Sequence, residues 1–322
     1  MSVVFQDVSY AYGADQPPAL SHVSLTIPDG QFLGIIGHTG SGKSTLVQHM
    51  NGLLQPTSGK VVVDGLDLAD RRSRHEVRRH VGVAFQYPEY QLFAATVRED
   101  VAFGPTNLGL GAAEVDGRVR RALERVGLAY DEVAERSPFH LSGGQQRRVA
   151  LAGILAMEPR TIVLDEPMAG LDPRGCEDIL GLVHRLHEDG MTVVMVSHSM
   201  EDVAENADEV LVMSGGRVLM KGAPDEVFSR REELYRVGLD VPQATRFQSR
   251  LRAAGLRLPQ DVHTIEALAD AIVASVGTRT KERYQELAAR AGGVAGDRAA
   301  RAGEDAGATK DAGATTQGGD GR

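Results

Sequence analysis

A glycine-rich stretch near residue 40 carries the clearest chemistry in this sequence. It reads Gly37, His38, Thr39, Gly40, Ser41, Gly42, Lys43, Ser44 and Thr45. The pattern G-x-x-x-x-G-K-[ST] is typical of a loop whose backbone N–H groups surround the phosphates of a nucleotide. Lys43 would then reach the β- and γ-phosphates, and the Ser44 hydroxyl would bind Mg²⁺. An ordinary glycine-rich turn is the alternative interpretation.

Two carboxylates at the end of an apolar run predict the catalytic part of the same site. The run 161–164 is typical of a buried strand, and Asp165 and Glu166 follow it. A buried acid needs a partner and a metal ion is a suitable one, so we expect Asp165 beside Mg²⁺. Glu166, one residue further on, is expected to orient or deprotonate a water molecule. Two solvated acids at a strand end are the alternative.

Two further patterns suggest contacts with an anion. His198 follows the apolar run 192–196, at the carboxyl end of a strand, where doubly wound sheets place their ligands. The run Ser142-Gly143-Gly144-Gln145 precedes a helical pattern. Ser142 can cap that helix while the glycines expose backbone N–H groups to an anion. A glycine-containing N-cap without any ligand is the alternative for this second pattern.

The elements that must position these residues alternate along the chain. Period-two and apolar runs predict strands at 3–10, 23–27, 32–36, 59–65, 81–86, 161–166 and 192–196, and a hairpin at 210–213 and 217–220. Helical spacing is found at 96–127, with a break expected at Gly104-Pro105. Three more helical segments, at 225–237, 243–254 and 264–276, follow the hairpin. This order predicts an α/β fold with a small helical extension.

Two surface features allow more than one interpretation. Tyr12 lies in the loop between the first two strands, where it is either a partly buried surface aromatic or a stacking platform for a base. A run of arginines is typical of a solvated helix face, with a nucleotide or lipid contact as the alternative. These arginines are Arg71, Arg72, Arg74, Arg78 and Arg79.

Composition limits the class of protein. The chain has 322 residues, 42% hydrophobic and 25% charged, which suggests about two domains of a globular protein. Its formal net charge of −9 argues against broad coating by nucleic acid, while a local basic patch stays compatible with it. No apolar run approaches the roughly 18 residues that cross a bilayer. Residues 278–322 are poor in apolar bulk, especially after Gly292, and we expect a polar, disordered tail there.

Taken together, the motifs resemble those of ABC-type ATPases. The matching residues occur in the family's order over about residues 2–230: Gly37–Thr45, Gln86, Leu141–Gln145, Ile162–Glu166, Ala169–Asp172 and His198. Three further segments resemble the ATP-binding subunits of energy-coupling factor (ECF) importers, more closely the second of their two A-type subunits. They are Phe85–Phe93, Phe103–Pro105 and Gly238–Pro242. Met168 departs from the family, which usually has Thr there.

The resemblance implies roles for the matching residues. Tyr12 would stack on the adenine of ATP. Ser44, Gln86 and Asp165 would hold Mg²⁺ directly or through water. Glu166 would be the general base, and His198 would hold the γ-phosphate and the water in line. Ser142, Gly143, Gly144 and Gln145 would face ATP bound to a partner subunit.

The resemblance also implies partners, domains and location. It predicts an ABC ATPase domain at 1–232, with a mixed sheet core and a helical subdomain at about 88–157, followed by a helical extension at 233–277. The partners would be a second ATPase subunit (a related A-type subunit or a second copy), a transmembrane scaffold and small substrate-capture membrane proteins. The complex would place the chain at the cytoplasmic face of the cell membrane.

Two other functions are alternatives to the ECF importer. An importer that uses a soluble binding protein would share the ATPase motifs but not the segments at 85–93 and 238–242. A soluble DNA-repair or translation ATPase is disfavoured because only about 100 residues separate Lys43 from Ser142, with no sustained heptads. Co-purification with a shared membrane scaffold would distinguish the ECF importer from both.

Overall fold

The structure is a computed structural model that describes residues 2–13, 15–259 and 262–277. The strands are β1 (Val3–Tyr10), β2 (Leu20–Ile27), β3 (Phe32–Ile36), β4 (Ser58–Val63), β5 (Leu66–Asp67), β6 (Val81–Ala84), β7 (Thr161–Asp165), β8 (Thr192–Val196), β9 (Glu209–Ser214) and β10 (Arg217–Gly222). All the predicted strands and the hairpin are therefore present.

Helices fill most of the intervening segments. They are α1 (Lys43–Met50), α2 (Arg71–His80), α3 (Val97–Asn107), α4 (Ala112–Arg125), α5 (Tyr130–Val133), α6 (Gly143–Leu155), α7 (Pro173–Glu188), α8 (Met200–Asn206), α9 (Pro224–Ser229), α10 (Arg231–Arg236) and α11 (Gln243–Ala253). Short 3₁₀ helices span Pro88–Gln91 and Pro138–His140, and residues 265–277 are also helical. No helix within the described residues is both long and apolar enough to cross a bilayer.

The strands form two sheets, in agreement with the predicted α/β fold. One has the order β2-β1-β4-β5 and is antiparallel. The other has the order β10-β9-β3-β8-β7-β6 and is parallel except for the β9–β10 hairpin. Every residue of β3, β7 and β8 is buried, as expected for central strands covered on both faces. Their carboxyl ends therefore meet at one edge of the sheet.

The break expected at Gly104-Pro105 is wrong. Helix α3 continues through both residues to Asn107, and the chain leaves the helix only at 108–111. Pro105 lies in the last turn, where a single N–H is lost, and the Leu108 N–H still bonds to the Gly104 carbonyl at 3.1 Å. Gly104 allows close packing here, because an added Cβ would lie 2.8 Å from Cγ of Met157 and that side chain would have to move.

The C-terminal part contains the predicted helices with one difference. The segment 225–237 is divided into α9 and α10 because Arg230 leaves the helical conformation, at φ −82° and ψ 48°. The described residues form two compact units, one comprising 2–247 with 262–265 and the other 248–259 with 266–277. The domain limits drawn from the sequence stay predictions, and the predicted tail lies outside the described residues.

Candidate nucleotide-binding site

The glycine-rich loop joins β3 to α1, as the sequence predicts. Gly40 and Gly42 have φ values of +79° and +102°, a region that side chains with a Cβ rarely occupy. An added Cβ on Gly42 would lie 2.6 Å from the Ala19 carbonyl oxygen, and one on Gly37 would lie 2.5 Å from the Met213 carbonyl oxygen. Backbone therefore packs against the loop from two sides, and these positions accept only glycine.

The turn of the β9–β10 hairpin is hydrogen-bonded to this loop through its backbone. The Gly216 N–H donates to the Ser41 carbonyl at 3.0 Å, while the Gly216 carbonyl accepts from the Ser21 N–H at 2.8 Å. Gly216 itself has φ +75°, and an added Cβ would lie 2.8 Å from the Ala19 carbonyl oxygen. This supporting role of the turn was not predicted from the sequence. The Ser214-Gly215-Gly216 run was the available signal, but it predicted only a hairpin.

Lys43 is the first residue of α1, and its side chain folds back over the loop. Its Nζ donates to the Gly37 carbonyl at 2.6 Å and to the His38 carbonyl at 3.2 Å. Burial lowers the pKa of Lys43, although the carboxylates of Glu166 and Asp165 act in the opposite direction. A buried cation at the start of a helix adds to the positive helix end and favours an anion there.

Asp165 and Glu166 lie at the carboxyl end of β7. Asp165 is only 8% exposed, and burial raises its pKa, although a hydrogen bond from Ser44 opposes that rise. Burial, followed by the charge of Asp165, raises the pKa of Glu166 to about 7. Glu166 also has a positive φ of 54°, and its N–H donates to the Val196 carbonyl of β8 at 3.0 Å. The two adjacent carboxyl groups thus differ in their surroundings: Asp165 accepts a hydrogen bond from Ser44, whereas Glu166 faces the like charge of Asp165.

His198 follows β8 and meets Glu166. Its Nε2 lies 3.2 Å from Oε1 of Glu166, while the imidazole is half exposed. Burial lowers the pKa of His198, and the nearby Lys43 charge lowers it further, against the raising effect of Asp165. The imidazole is therefore neutral near pH 7 and can both donate and accept a hydrogen bond.

These residues surround a cavity of about 450 Å³. It is lined by Tyr12, Ala19, Thr39, Gly40, Gly42, Lys43, Ser44, Thr45, Gln86, Asp165, Glu166 and His198. Apart from Ala19, each of them was a predicted site residue. Three predicted loop residues are not part of the lining: Gly37 and Ser41 are buried, and His38 is exposed. The structure therefore brings together in one cavity predicted residues from five separate stretches of the chain.

Tyr12 lies at the mouth of the cavity with 58% of its surface exposed. Its hydroxyl lies 3.1 Å from Oγ1 of Thr45, and its ring meets that of Tyr10 edge to face at 5.0 Å. Tyr10 in turn packs edge to face against the buried His49 at 4.9 Å. The ring is thus supported from behind and has an open face, which is the geometry a base platform needs.

The signature run 142–145 lies elsewhere. Ser142 caps α6 in a capping box: its hydroxyl accepts from the Gln145 N–H at 3.3 Å, and the Gln145 amide oxygen accepts from the Ser142 N–H at 3.1 Å. Among the described residues lining the cavity, none belongs to this run. The N-cap role is confirmed, and contact with a partner's nucleotide stays a prediction.

The cavity contains a donor set that fits Mg²⁺. The Ser44 hydroxyl, the Gln86 amide and the Asp165 carboxylate supply the hard oxygen ligands that Mg²⁺ prefers, and all three line the cavity. A carboxylate as buried as Asp165 is costly to ionise alone, and a divalent cation would remove that cost.

Comparison with known proteins agrees with this geometry. The family described as ABC transporter matches residues 20–169. The chain is 60% identical over 276 residues to the energy-coupling factor transporter ATP-binding protein EcfA2 of Symbiobacterium thermophilum, covering 84% of this chain and 96% of that protein. It is 48% identical to the EcfA2 protein of Clostridium perfringens, covering 85% of this chain and 98% of that protein.

Solved structures show the same fold. CbiO1 of Clostridium perfringens, part of the ABC transporter complex CbiONQ, matches with a TM-score of 0.65 and 37% identity over 77% of this chain and 98% of that one. The ATP-binding cassette MJ0796, in a dimeric post-hydrolysis state bound to ADP and Pi, matches with a TM-score of 0.61 and 33% identity over 69% of this chain and 98% of that one. The chain belongs to the energy-coupling factor transporter ATP-binding proteins and is an ABC-type ATPase.

Proposed function

We propose that the chain hydrolyses Mg²⁺–ATP in the cavity described above and thereby powers the uptake of a vitamin or another micronutrient through a separate transmembrane complex. The observation that carries this proposal is the meeting of Lys43, Asp165, Glu166 and His198 around one glycine loop. The names of the curated relatives support transport as the process that uses the ATP.

The binding step follows from the loop and the helix behind it. Backbone N–H groups of residues 39–45, the positive end of α1 and the Lys43 ammonium all favour the triphosphate. Tyr12 offers its exposed ring to the adenine. Ser44, Gln86 and Asp165 would hold Mg²⁺, which neutralises charge on the phosphates when bound. The binding energy is thus spread over groups that the fold already positions.

The hydrolytic step depends on Glu166 and His198. A carboxylate with a pKa of about 7 is well matched to accept a proton from an attacking water near neutral pH. The neutral imidazole of His198 has a single N–H. With Nε2 3.2 Å from Glu166, it can donate either to that carboxylate, which orients it, or to the γ-phosphate. Lys43 and the loop add electrostatic stabilisation of the charge on the phosphates.

A second ATPase subunit completes the proposed machine. The signature run 142–145 exposes a helix N-terminus outside this chain's own cavity, so it is available for ATP held by a partner. The dimeric MJ0796 cassette supports such an arrangement. The further partners are a transmembrane scaffold and small substrate-capture proteins, at the cytoplasmic face of the cell membrane. No nucleic acid is required.

Two substitutions in the purified complex test this proposal. Glu166→Gln should lower ATP turnover by about 10²–10⁴-fold because it removes the base, while nucleotide binding persists. Lys43→Ala should instead weaken ATP binding itself. Turnover is measured by phosphate release and binding by a fluorescent ATP analogue. Glu132→Gln, at an exposed carboxylate of α5, is the control and should change neither quantity. Full turnover by the Glu166→Gln complex would contradict the proposal.

A further inference from the structure

One buried arginine contacts two segments that flank the cavity. Arg147 lies in α6 and is 2% exposed, the largest of the fully buried side chains. Its Nε donates to Oε2 of Glu89 at 3.0 Å and its second terminal nitrogen donates to Oε1 at 2.8 Å. Such a forked contact fixes both partners in direction as well as distance. Glu89 belongs to the 3₁₀ helix Pro88–Gln91, which begins two residues after Gln86.

The other end of the same guanidinium holds the segment after Glu166. The first terminal nitrogen donates to the carbonyls of Pro167 at 3.0 Å and Ala169 at 2.9 Å. The Ala169 N–H in turn donates to the Glu166 carbonyl at 3.1 Å. Arg147 therefore contacts Glu89, three residues after the proposed Mg²⁺ ligand Gln86, and the backbone one and three residues after the proposed base Glu166.

The two segments also touch each other directly. Tyr87 has a positive φ of 57°, and its ring centroid lies 5.8 Å from the centre of the Arg147 guanidinium. An added Cβ on Gly170 would lie 3.3 Å from Cε1 of Tyr87. Tyr87, next to Gln86, and Glu166, the proposed base, both have a positive φ. Such strained backbone persists only where the surrounding structure holds it.

A stabilising role alone does not account for this contact. A buried ion pair adds little stability compared with apolar packing of similar volume, because both ions must leave water. Arg147 instead satisfies four acceptors that lie on two separate segments, and those segments end in the cavity residues. Arg147 therefore connects the segment after Gln86 to the segment after Glu166.

We propose that Arg147 is a positioning residue that couples Gln86 to Glu166, so that a displacement of the helix Pro88–Gln91 alters the alignment of the catalytic base. This inference rests on the proposed ATPase function. The exposed side of that short helix carries Tyr90, which is 82% exposed, so the helix is accessible to a docking protein. Force applied there reaches Glu166 through Glu89, Arg147 and the carbonyls of residues 167 and 169.

Two single variants and their combination test the link in the purified transporter complex. Arg147→Lys keeps the charge but loses the fork, and Glu89→Gln keeps the size but loses the carboxylate. Each should lower kcat for ATP about ten- to hundredfold, the range expected when a catalytic group is displaced without being removed. The KM for ATP should stay within about threefold, because neither side chain lines the cavity. The double variant should lose no more than the worse single variant, since both break one link.

Arg118→Lys is the matched control. Arg118 is a partly buried arginine that, like Arg147, is paired with carboxylates, with Glu114 at 3.0 Å and Glu158 at 3.1 Å, but it contacts neither flanking segment. Its kcat should equal that of the unaltered complex. Should Arg147→Lys fail to fold, Glu89→Gln alone still decides the matter. A folded Glu89→Gln complex with normal kcat, or additive losses in the double variant, would overturn the inference. Normal turnover by Glu166→Gln would instead overturn the proposed function.

Discussion

The surroundings of Glu166 destabilise its ionised form. The residue is largely buried, next to Asp165, and its backbone has φ 54°. Both its environment and its conformation are unfavourable, and such positions are maintained only by the surrounding fold. A carboxylate in water would be more stable, but its pKa would be too low for an efficient base.

The raised pKa of Glu166 predicts how stability varies with pH in the absence of metal and nucleotide. Between pH 4.5 and about 7 the carboxyl group loses its proton in the unfolded chain but keeps it in the folded one. Unfolding therefore releases a proton, and stability falls as the pH rises through this window. Glu166→Gln cannot ionise, so it should be more stable than the unaltered protein at pH 8, by at most about 3 kcal/mol.

Urea unfolding in EDTA at pH 5 and pH 8 measures this difference. The two proteins should be nearly equal in stability at pH 5, with the gap opening toward pH 8. Glu132→Gln, at an exposed site, controls for the general effect of replacing a carboxylate. Equal stability of Glu166→Gln and the unaltered protein at both pH values would show that the carboxyl group of Glu166 is not destabilised by its surroundings.

At the residue scale, sequence alone predicted those groups whose identity depends on a short local pattern. Lys43, Asp165, Glu166 and His198 each follow a strand or a glycine turn that can be recognised without the rest of the chain. Arg147 could not be found in this way, because a charged residue in a helix is expected on the surface. Its burial results from acceptors supplied by distant segments, and no local pattern records that.

The phosphate loop and its helix act as one element, and glycine substitutions test this. Gly42→Ala should destabilise the protein by at least about 1 kcal/mol, because φ is +102° and the new Cβ meets the Ala19 carbonyl. It should also weaken ATP binding about tenfold or more, since displaced N–H groups no longer meet the phosphates. Thermal unfolding and equilibrium binding of a fluorescent ATP analogue measure the two effects.

Gly65→Ala is the control for backbone strain. Gly65 also has a positive φ, of 80°, but an added Cβ meets no described atom within 4 Å, and the residue lies in the turn between β4 and β5. It should lose stability to a smaller extent and keep its affinity for ATP. Equal loss of affinity in both variants would mean that the loop has no special role in binding.

At the element scale, periodicity predicted every strand except the two-residue β5 (Leu66–Asp67) and placed one helix end wrongly. The buried runs 32–36, 161–164 and 192–196 are unmistakable, because central parallel strands are apolar on both faces. Gly104-Pro105 suggested a helix end, but the close approach of Met157 favours a glycine inside the helix at this position. Tertiary packing therefore decided what local propensity could not.

For the whole molecule, the position of the signature run predicts a division of labour between subunits. Ser142→Ala and Thr96→Ala each remove the cap of a capping box, at α6 and α3, and each should cost about 1 kcal/mol of stability. Only Ser142→Ala should lower ATP turnover by the assembled transporter. Binding of an ATP analogue to the isolated chain should be unchanged in both, because neither residue lines the cavity.

The comparison is made with phosphate release by the complex and with binding by the purified subunit. Equal turnover for the two variants would mean that the signature run makes no contact with a nucleotide. Reduced binding by the isolated Ser142→Ala subunit would mean that the run serves the chain's own cavity.

The support that Gly216 gives to Ser41 and Ser21 has a consequence for biosynthesis. The loop near residue 40 is hydrogen-bonded to a turn about 175 positions later in the chain. Its correct shape therefore depends on contacts of high sequence separation. A nascent chain that has emerged only as far as β8 already contains Lys43 and Glu166 but not His198. It also lacks the Gly216 turn that supports the loop. Nucleotide would therefore become a ligand late in translation, and it would favour the completed chain over its truncated precursors.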